Sequence, residues 1–218
     1  MTSPSSSAAD RAYEFILDGI IEGRFETGEM LSEATIAGEI ELSRTPIRAA
    51  LVRLQQERWI TVYPKRGALV NGLSDRTIAD LADTRLVLEA ASMQRSNPAK
   101  NAQLASRLSE LIDRQAAAFE RRDIREFIDL TIRFHRSFVE AGENTVLLEL
   151  NDRLADRQRY MLFRQGESML SRCEYILDEH RKLVRALVAG DPDTFAETLR
   201  AHIGDTHAEN LSSLRPVP

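Results

Sequence analysis

The first seventy residues show three helical patterns of apolar positions and then a strand-like one. Residues 13, 16, 17, 20 and 21 are apolar at the spacing of one helix face, which Gly23 ends. Ser32 can cap a second, short helix, and a third runs from Arg44 to about residue 57. Residues 59–63 alternate as a strand, and residues 68–70 return after a turn. This order predicts a winged helix-turn-helix domain over residues 10–72, after a disordered tail over residues 1–9.

The rest of the chain carries helical patterns alone. Asn97 and Pro98 end the first helix, Asp123 can cap the third, and Gly190 with Pro192 marks the last boundary. We predict an all-α bundle over residues 73–213, and the chain as a whole is therefore mostly α. Its six predicted helices lie near residues 75–96, 100–121, 123–141, 144–165, 168–189 and 191–212.

The start of the third helix has the chemistry of a DNA reader. Ser43 or Thr45 can cap this helix, and Pro46 needs no amide partner in a first turn. Arg44 and Arg48 share one side of it, where their planar guanidinium groups suit guanine edges or phosphates. The remaining predicted DNA contacts are Thr45, Arg53 as a phosphate contact, and the hairpin residues Lys65, Arg66 and Gly67. The alternative is that these are solvated charges on a helix–hairpin domain.

Charge distribution supports the DNA hypothesis although the whole chain has a net charge of −5. Residues 42–70 hold six basic side chains and one acid, and phosphate attraction acts over about 10 Å at ordinary salt. No apolar run is long enough for a membrane span, and residues 1–9 lack the features of a secretion signal. The single cysteine, Cys173, excludes an internal disulfide and fits a reducing cytoplasm. These features predict a cytoplasmic protein without a membrane partner.

Three of the four histidines lie on apolar helix faces of the predicted bundle. His135, His180 and His202 lie on three separate predicted helices. Each is three, four or seven residues from apolar residues of its own helix. One inward histidine is usually a satisfied core residue. Three on separate helices can converge and ligate Zn²⁺, Ni²⁺ or a similar divalent ion. The spacing alone leaves both interpretations open.

Residues 13–70 resemble the GntR family of bacterial transcription regulators. The resemblance rests on residues 20–23, 28–33, 43–51 and 64–67, together with Tyr13, Arg53 and Leu54. It implies a homodimer that binds a short palindromic operator in double-stranded DNA through the Arg44 helix and the wing. The sequence departs from the family where Glu41 and Arg58 replace the usual glycines, and where Ala34 replaces an arginine found in some members.

Residues 75–212 resemble the FCD effector domain of the FadR-like branch, and six helices suggest its shorter, VanR-like subgroup. The matching positions are His135, Glu179, His180 and His202. The resemblance implies a divalent metal beside a pocket for a small organic acid. Thr131 stands where the family commonly has a carboxylate or amide, and we assign it and Arg85 to effector binding. Arg85 has an equally good alternative as the ion-pair partner of Glu89, four residues on.

The resulting hypothesis is a ligand-responsive transcription regulator, a repressor, that senses a small carboxylic acid and is not an enzyme. Three histidines around a metal can instead activate water for hydrolysis, but no inward carboxylate beside His135 is evident as a general base. A third alternative is an architectural DNA-binding protein whose second domain senses nothing. These alternatives differ in whether a small acid changes DNA affinity.

Overall fold

The computed structural model describes the backbone of residues 7–206 and their side chains, except those at positions 167, 168, 170, 205 and 206. The chain divides into two compact units, and the boundary falls between Leu73 and Ser74. Residues 1–6 of the predicted tail and the predicted domain end at residue 213 lie outside the described residues. Residues 7–9 do not belong to a tail. Ser7 caps the first helix in a reciprocal capping box with Asp10, and the helix begins at Ala8.

The first unit is a winged helix-turn-helix, as predicted. Its helices are α1 (Ala8–Ile21), α2 (Glu33–Ile40) and α3 (Arg44–Gln56), and its strands are β1 (Met30–Leu31), β2 (Ile60–Tyr63) and β3 (Gly67–Val70). Ile47, Leu51 and Leu54 of α3 are buried and hold that helix against the core. The sheet is antiparallel in the order β1-β3-β2, so the predicted hairpin is joined by a third strand, of two residues, that the apolar pattern did not predict.

The second unit is entirely helical in the part of the chain that the structure describes. After α4 (Asp75–Gln94), a short 3-10 helix (Pro98–Lys100) leads into the bundle. The other helices are α5 (Asn101–Glu120), α6 (Ile124–Ala141), α7 (Thr145–Arg153), α8 (Ala155–Phe163), α9 (Gly166–Ser171), α10 (Cys173–Ala189) and α11 (Pro192–Thr206). α5 packs against α6 and α10, and α4 packs against α6 and α11. Phe127, Phe134 and Phe138 of α6 are fully buried at the centre of this core.

The prediction of six long helices was wrong in two places. The predicted helix over residues 144–165 breaks at Leu154, whose amide bonds the Asn151 carbonyl three residues back instead of four. The predicted helix over residues 168–189 is divided into α9 and α10, because the backbone leaves helical geometry at Arg172. Neither junction contains a glycine or proline, which is why the apolar periodicity predicted a continuous helix across each of them. Among the described residues, no helix is apolar over a length that would let it cross a membrane.

Candidate nucleic-acid interface and candidate metal centre

A groove of about 380 Å³ separates the start of α3 from the hairpin of β2 and β3. It is lined by Arg44 and Arg48 from α3, by Lys65, Arg66 and Gly67 from the hairpin, and by Ser32, Glu33 and Ala34 at the start of α2. The structure thus brings together five of the seven predicted DNA-contacting residues. Four of them are cationic, so the groove can attract a phosphate backbone.

The other two predicted contacts lie apart from this groove's lining. Thr45 is exposed at the start of α3, where Ser43 is the N-cap but its side chain makes no capping hydrogen bond. Arg53 stacks 3.6 Å from the centre of the Tyr13 ring and pairs with Glu57 at 3.2 Å. The contact with Tyr13 gives Arg53 a role in holding α3 to α1, and its phosphate contact stays a prediction.

The conformation of the hairpin explains its glycine. The Arg66 amide bonds the Tyr63 carbonyl across a turn in which Lys65 has a φ of 63°. Gly67 was predicted as a DNA contact, and the structure supplies a further reason for a glycine at this position. A Cβ atom on Gly67 would lie 2.4 Å from the carbonyl oxygen of Leu31, so the glycine is required by the pairing of β1 with β3.

The three predicted histidines meet in the second unit. His135 on α6, His180 on α10 and His202 on α11 are buried, and one ligating nitrogen of each lies within 4.8 Å of the others. The Nε2 atoms of His135 and His202 are 3.2 Å apart, and the two rings are stacked. Phe134 stacks on His180 with a centroid distance of 4.2 Å. The helical spacing therefore identified a true convergence of side chains from three helices.

The outer nitrogen of each ring has a buried hydrogen-bond partner. Nδ1 of His135 lies 2.7 Å from Glu89, Nδ1 of His180 lies 2.8 Å from Gln115, and Nδ1 of His202 lies 2.8 Å from Glu179. An amide oxygen or a carboxylate accepts a hydrogen bond, so these partners keep the ring protons on Nδ1. The lone pairs on Nε2 then face one another at the centre of the cluster. Sequence reasoning missed Gln115, and it did not assign Glu89 or Glu179 to this role.

This arrangement fits a divalent metal ion. Two Nε2 lone pairs 3.2 Å apart repel each other, and His180 Nε2 is buried without a hydrogen-bond partner. A tetrahedral ion with bonds of about 2.0–2.1 Å separates its ligand nitrogens by roughly 3.3–3.4 Å, close to the observed distance. Burial is the main cause that holds the pKa of His135 and of His180 well below the usual value. The rings are therefore neutral near pH 7, the form that binds metals.

Glu89 corrects one expectation drawn from the sequence. A buried carboxylate does lie beside His135, but it faces Nδ1 and is therefore on the side of the ring away from Nε2. Glu89 is also bonded by Nε of Arg85 at 3.2 Å, and burial raises its pKa to about 7 although Arg85 opposes that shift. It supports the histidine and is poorly placed as a general base for water at the cluster's centre.

Arg85 and Thr131, the two predicted effector contacts, are both buried. Arg85 makes the ion pair with Glu89, and its Nη2 atom is buried with no hydrogen-bond partner. Gln115 Nε2 is in the same situation. Thr131 lies one turn before His135, and its hydroxyl donates a hydrogen bond to the Phe127 carbonyl at 2.9 Å. The polar cluster thus contains donors that the protein itself does not use.

Comparison with protein families matches both units. The model for bacterial regulatory proteins of the gntR family matches residues 8–70, and the model for the FCD domain matches residues 80–205. This protein belongs to the GntR family. Its FCD domain places it in the FadR-like subfamily of transcription regulators, which are DNA-binding proteins and not enzymes.

Individual relatives agree with this assignment. The chain is 28% identical over 194 residues to the gluconate operon transcriptional repressor of Bacillus licheniformis, covering 87% of this chain and 79% of that protein. It is 24% identical over 216 residues to the transcriptional repressor RspR of Escherichia coli, covering 98% and 92%. A GntR regulator structure from Rhodococcus sp. RHA1 has the same fold, with a TM-score of 0.76, 24% identity, and coverage of 96% and 100%.

Proposed function

We propose that this protein is a repressor that senses a small carboxylic acid. In this proposal a homodimer binds a palindromic operator through Arg44, Arg48, Lys65 and Arg66, with Thr45, Arg53 and Gly67 close to the duplex. The acid binds in the FCD domain, where Arg85 and Thr131 contact it. The repressor role is supported by the relatives, since both proteins compared above over most of their length are named as repressors.

The observation that carries the sensing role is the connected polar chain from Arg85 through Glu89 to His135. Arg85 donates to one oxygen of Glu89, and the other oxygen faces His135 Nδ1. The second terminal nitrogen of Arg85 is buried and unused. Leaving a charged donor unpaired in the interior costs free energy, and a carboxylate is the partner that a guanidinium group pairs with best.

The three histidines form the second half of the proposed site. His135, His180 and His202 would hold a divalent ion such as Zn²⁺ or Ni²⁺ through Nε2, while Glu89, Gln115 and Glu179 fix their orientation. A bound ion would supply open coordination positions that attract a carboxylate oxygen. Arg85 then contributes the complementary charge, and the buried surroundings strengthen every such interaction by excluding water.

Among acids, we propose sugar acids first. Gluconate operon repressors from two Bacillus species are 28% identical to this chain. Short hydroxy acids, dicarboxylates and aromatic acids are the competing classes. Binding of the acid lowers operator affinity only if the acid binds the DNA-free state more tightly than the DNA-bound state.

Ligand-induced stabilisation of zinc-loaded protein tests this function. We would measure the unfolding midpoint with gluconate, lactate, succinate or benzoate, and with sorbitol as an uncharged control. A ligand at 100 times its Kd stabilises the native state by about 2.7 kcal/mol. We expect gluconate to raise the midpoint of the wild type and of Arg133→Gln, which changes an exposed arginine on α6, but not that of Arg85→Gln.

Two results would contradict the proposal. The first is that no acid of the panel changes the unfolding midpoint, which would favour a regulator without a sensing function. The second is that gluconate stabilises Arg85→Gln as much as the wild type. Circular dichroism and operator binding without ligand show whether Arg85→Gln is folded.

A further inference from the structure

The groove of the candidate nucleic-acid interface contains one acidic side chain among its described lining residues, Glu33. Its carboxylate pairs with Arg48, and both oxygens accept from Nε, at 3.1 and 2.9 Å. A carboxylate in a groove that faces phosphates opposes DNA binding. We therefore expect this carboxylate to have a function that compensates for the lost affinity. The two partners are fifteen residues apart in the chain and meet only because the fold brings them together.

Stabilising the folded protein is not that function, because the Glu33–Arg48 ion pair is largely exposed. The side chain of Arg48 is 65% exposed and that of Glu33 is 31% exposed. Ion pairs at such exposure contribute little to stability in water, because solvent screens them and two side chains lose freedom. The pair becomes stronger only when DNA covers the groove and excludes water from it.

The geometry of the pair suits the presentation of Arg48 to a base. The bonds to Glu33 use Nε, the side edge of the guanidinium group, and so leave Nη1 and Nη2 as the outer fork. That fork is the part of an arginine that pairs with O6 and N7 of guanine. An exposed arginine without such a support loses more rotamer entropy on binding.

The backbone holds Glu33 in place for this task. Glu33 is the first residue of α2, directly after the N-cap Ser32, whose hydroxyl accepts from the Ala34 amide at 3.2 Å. The positive end of the helix dipole attracts a negative side chain in the first turn, which helps to hold the Glu33 side chain at this place. Residue 34 is alanine and α2 contains no lysine or arginine, so no cationic side chain of that helix competes with Arg48 for this carboxylate.

We infer that Glu33 is a positioning residue for operator recognition: it orients Arg48 toward a guanine and repels DNA that lacks the matching base. This inference rests on the proposed role of Arg48 as a base-reading residue. Glu33 thereby lowers the non-specific affinity for DNA and raises the sequence discrimination. Its removal should move the two affinities in opposite directions, which a purely structural role would not do.

The test uses the full-length protein and two DNA duplexes. One carries the operator located by footprinting of the upstream region of its own gene, and the other is a scrambled duplex of the same length. We expect Glu33→Gln to weaken operator binding about tenfold, within the range for one bidentate base contact, and to tighten binding to the scrambled duplex. Glu39→Gln removes the same charge from the exposed side of α2 and should tighten binding to both duplexes equally.

The double variant separates positioning from direct contact. In the Arg48→Ala background, Glu33→Gln should no longer weaken operator binding and should behave like Glu39→Gln. If the tenfold loss persists there, Glu33 contacts DNA itself and the positioning role is wrong. If Glu33→Gln matches Glu39→Gln in the wild-type background, Glu33 is an ordinary surface acid. If Arg48→Ala leaves operator affinity unchanged, the base-reading role of Arg48 fails, and this inference fails with it.

Discussion

Glu89 lies 2.7 Å from the Nδ1 atom of His135, on the side of the ring opposite to the facing Nε2 atoms. The same carboxylate bonds Arg85, so a predicted effector contact and a predicted metal ligand share one buried acid. The ion-pair and effector interpretations of Arg85 are therefore compatible. The guanidinium group has enough donors to hold Glu89 with Nε and to offer Nη2 to a ligand.

Replacing Glu89 by Gln should weaken metal binding without removing a ligand. The amide cannot match the carboxylate as an acceptor for His135, and loss of such a support typically costs 10–100-fold in metal affinity. Competition with a chromophoric chelator measures the change. Asp83→Asn, a partly exposed position on α4, is the matched charge control and should leave zinc affinity unchanged. Equal affinities in all three proteins would show that Glu89 does not support the site.

Replacing His180 by Ala should abolish the dependence of stability on metal. Zinc at 1,000 times its Kd stabilises a native protein by about 4.1 kcal/mol, and this contribution disappears when the site is lost. The measurement is the denaturant midpoint with zinc and with chelator. Ile176→Ala on the same helix is a destabilised control that should keep the metal dependence. If the wild type itself shows none and contains no metal, the histidines are core residues.

Glu41 and Arg58 should be replaceable by glycine with a gain in stability. Glu41 has a φ of 52° and Arg58 a φ of 65°, and residues with a Cβ adopt this conformation at a cost of about 1–2 kcal/mol. We expect each glycine variant to raise the free energy of unfolding of the first unit by about 1 kcal/mol. Glu39→Gly, inside α2, should lower it by a similar amount. A loss of stability in both variants would contradict the strain argument.

Glu41 and Arg58 also show which features of the first unit could be predicted from the sequence. Glu41 and Arg58 were noted only as departures from the family's glycines, and the structure supplies the physical reason for the glycines. The winged helix was predictable because its apolar periodicity agrees with its caps and turns. Strand β1 was not, because two residues cannot show alternation and their pairing with β3 depends on contacts distant in sequence.

In the second unit, periodicity identified the three histidines but not their supports. An inward histidine can be recognised from its apolar neighbours on one helix. Gln115 is 65 residues from His180 in the chain, and Glu89 is 46 residues from His135, so no local sequence pattern indicates these contacts. Glu179 precedes His180 in the chain but contacts His202, which helix packing alone decides.

Lys65 should contribute charge but no sequence discrimination. Its position on the turn of the hairpin suits a phosphate contact, and each such contact adds about 0.9 to the slope of log affinity against log salt. Lys65→Ala should therefore weaken operator and scrambled duplexes by the same factor and reduce the slope by about one. Lys182→Ala, far along the chain on α10 and paired with Asp178, is the control for lost charge. An unchanged slope would exclude Lys65 from the interface.

In the proposed function, an acid bound in the FCD domain controls DNA binding by the winged helix. The most direct measurement is the Kd of zinc-loaded protein for its operator by fluorescence anisotropy, at fixed salt, with and without saturating gluconate. A coupling free energy of about 1.4 kcal/mol predicts a tenfold weaker Kd with the acid, and no change with sorbitol or in Arg85→Gln. An unchanged operator Kd at a gluconate concentration that calorimetry shows to be saturating would mean that the bound acid does not control DNA binding.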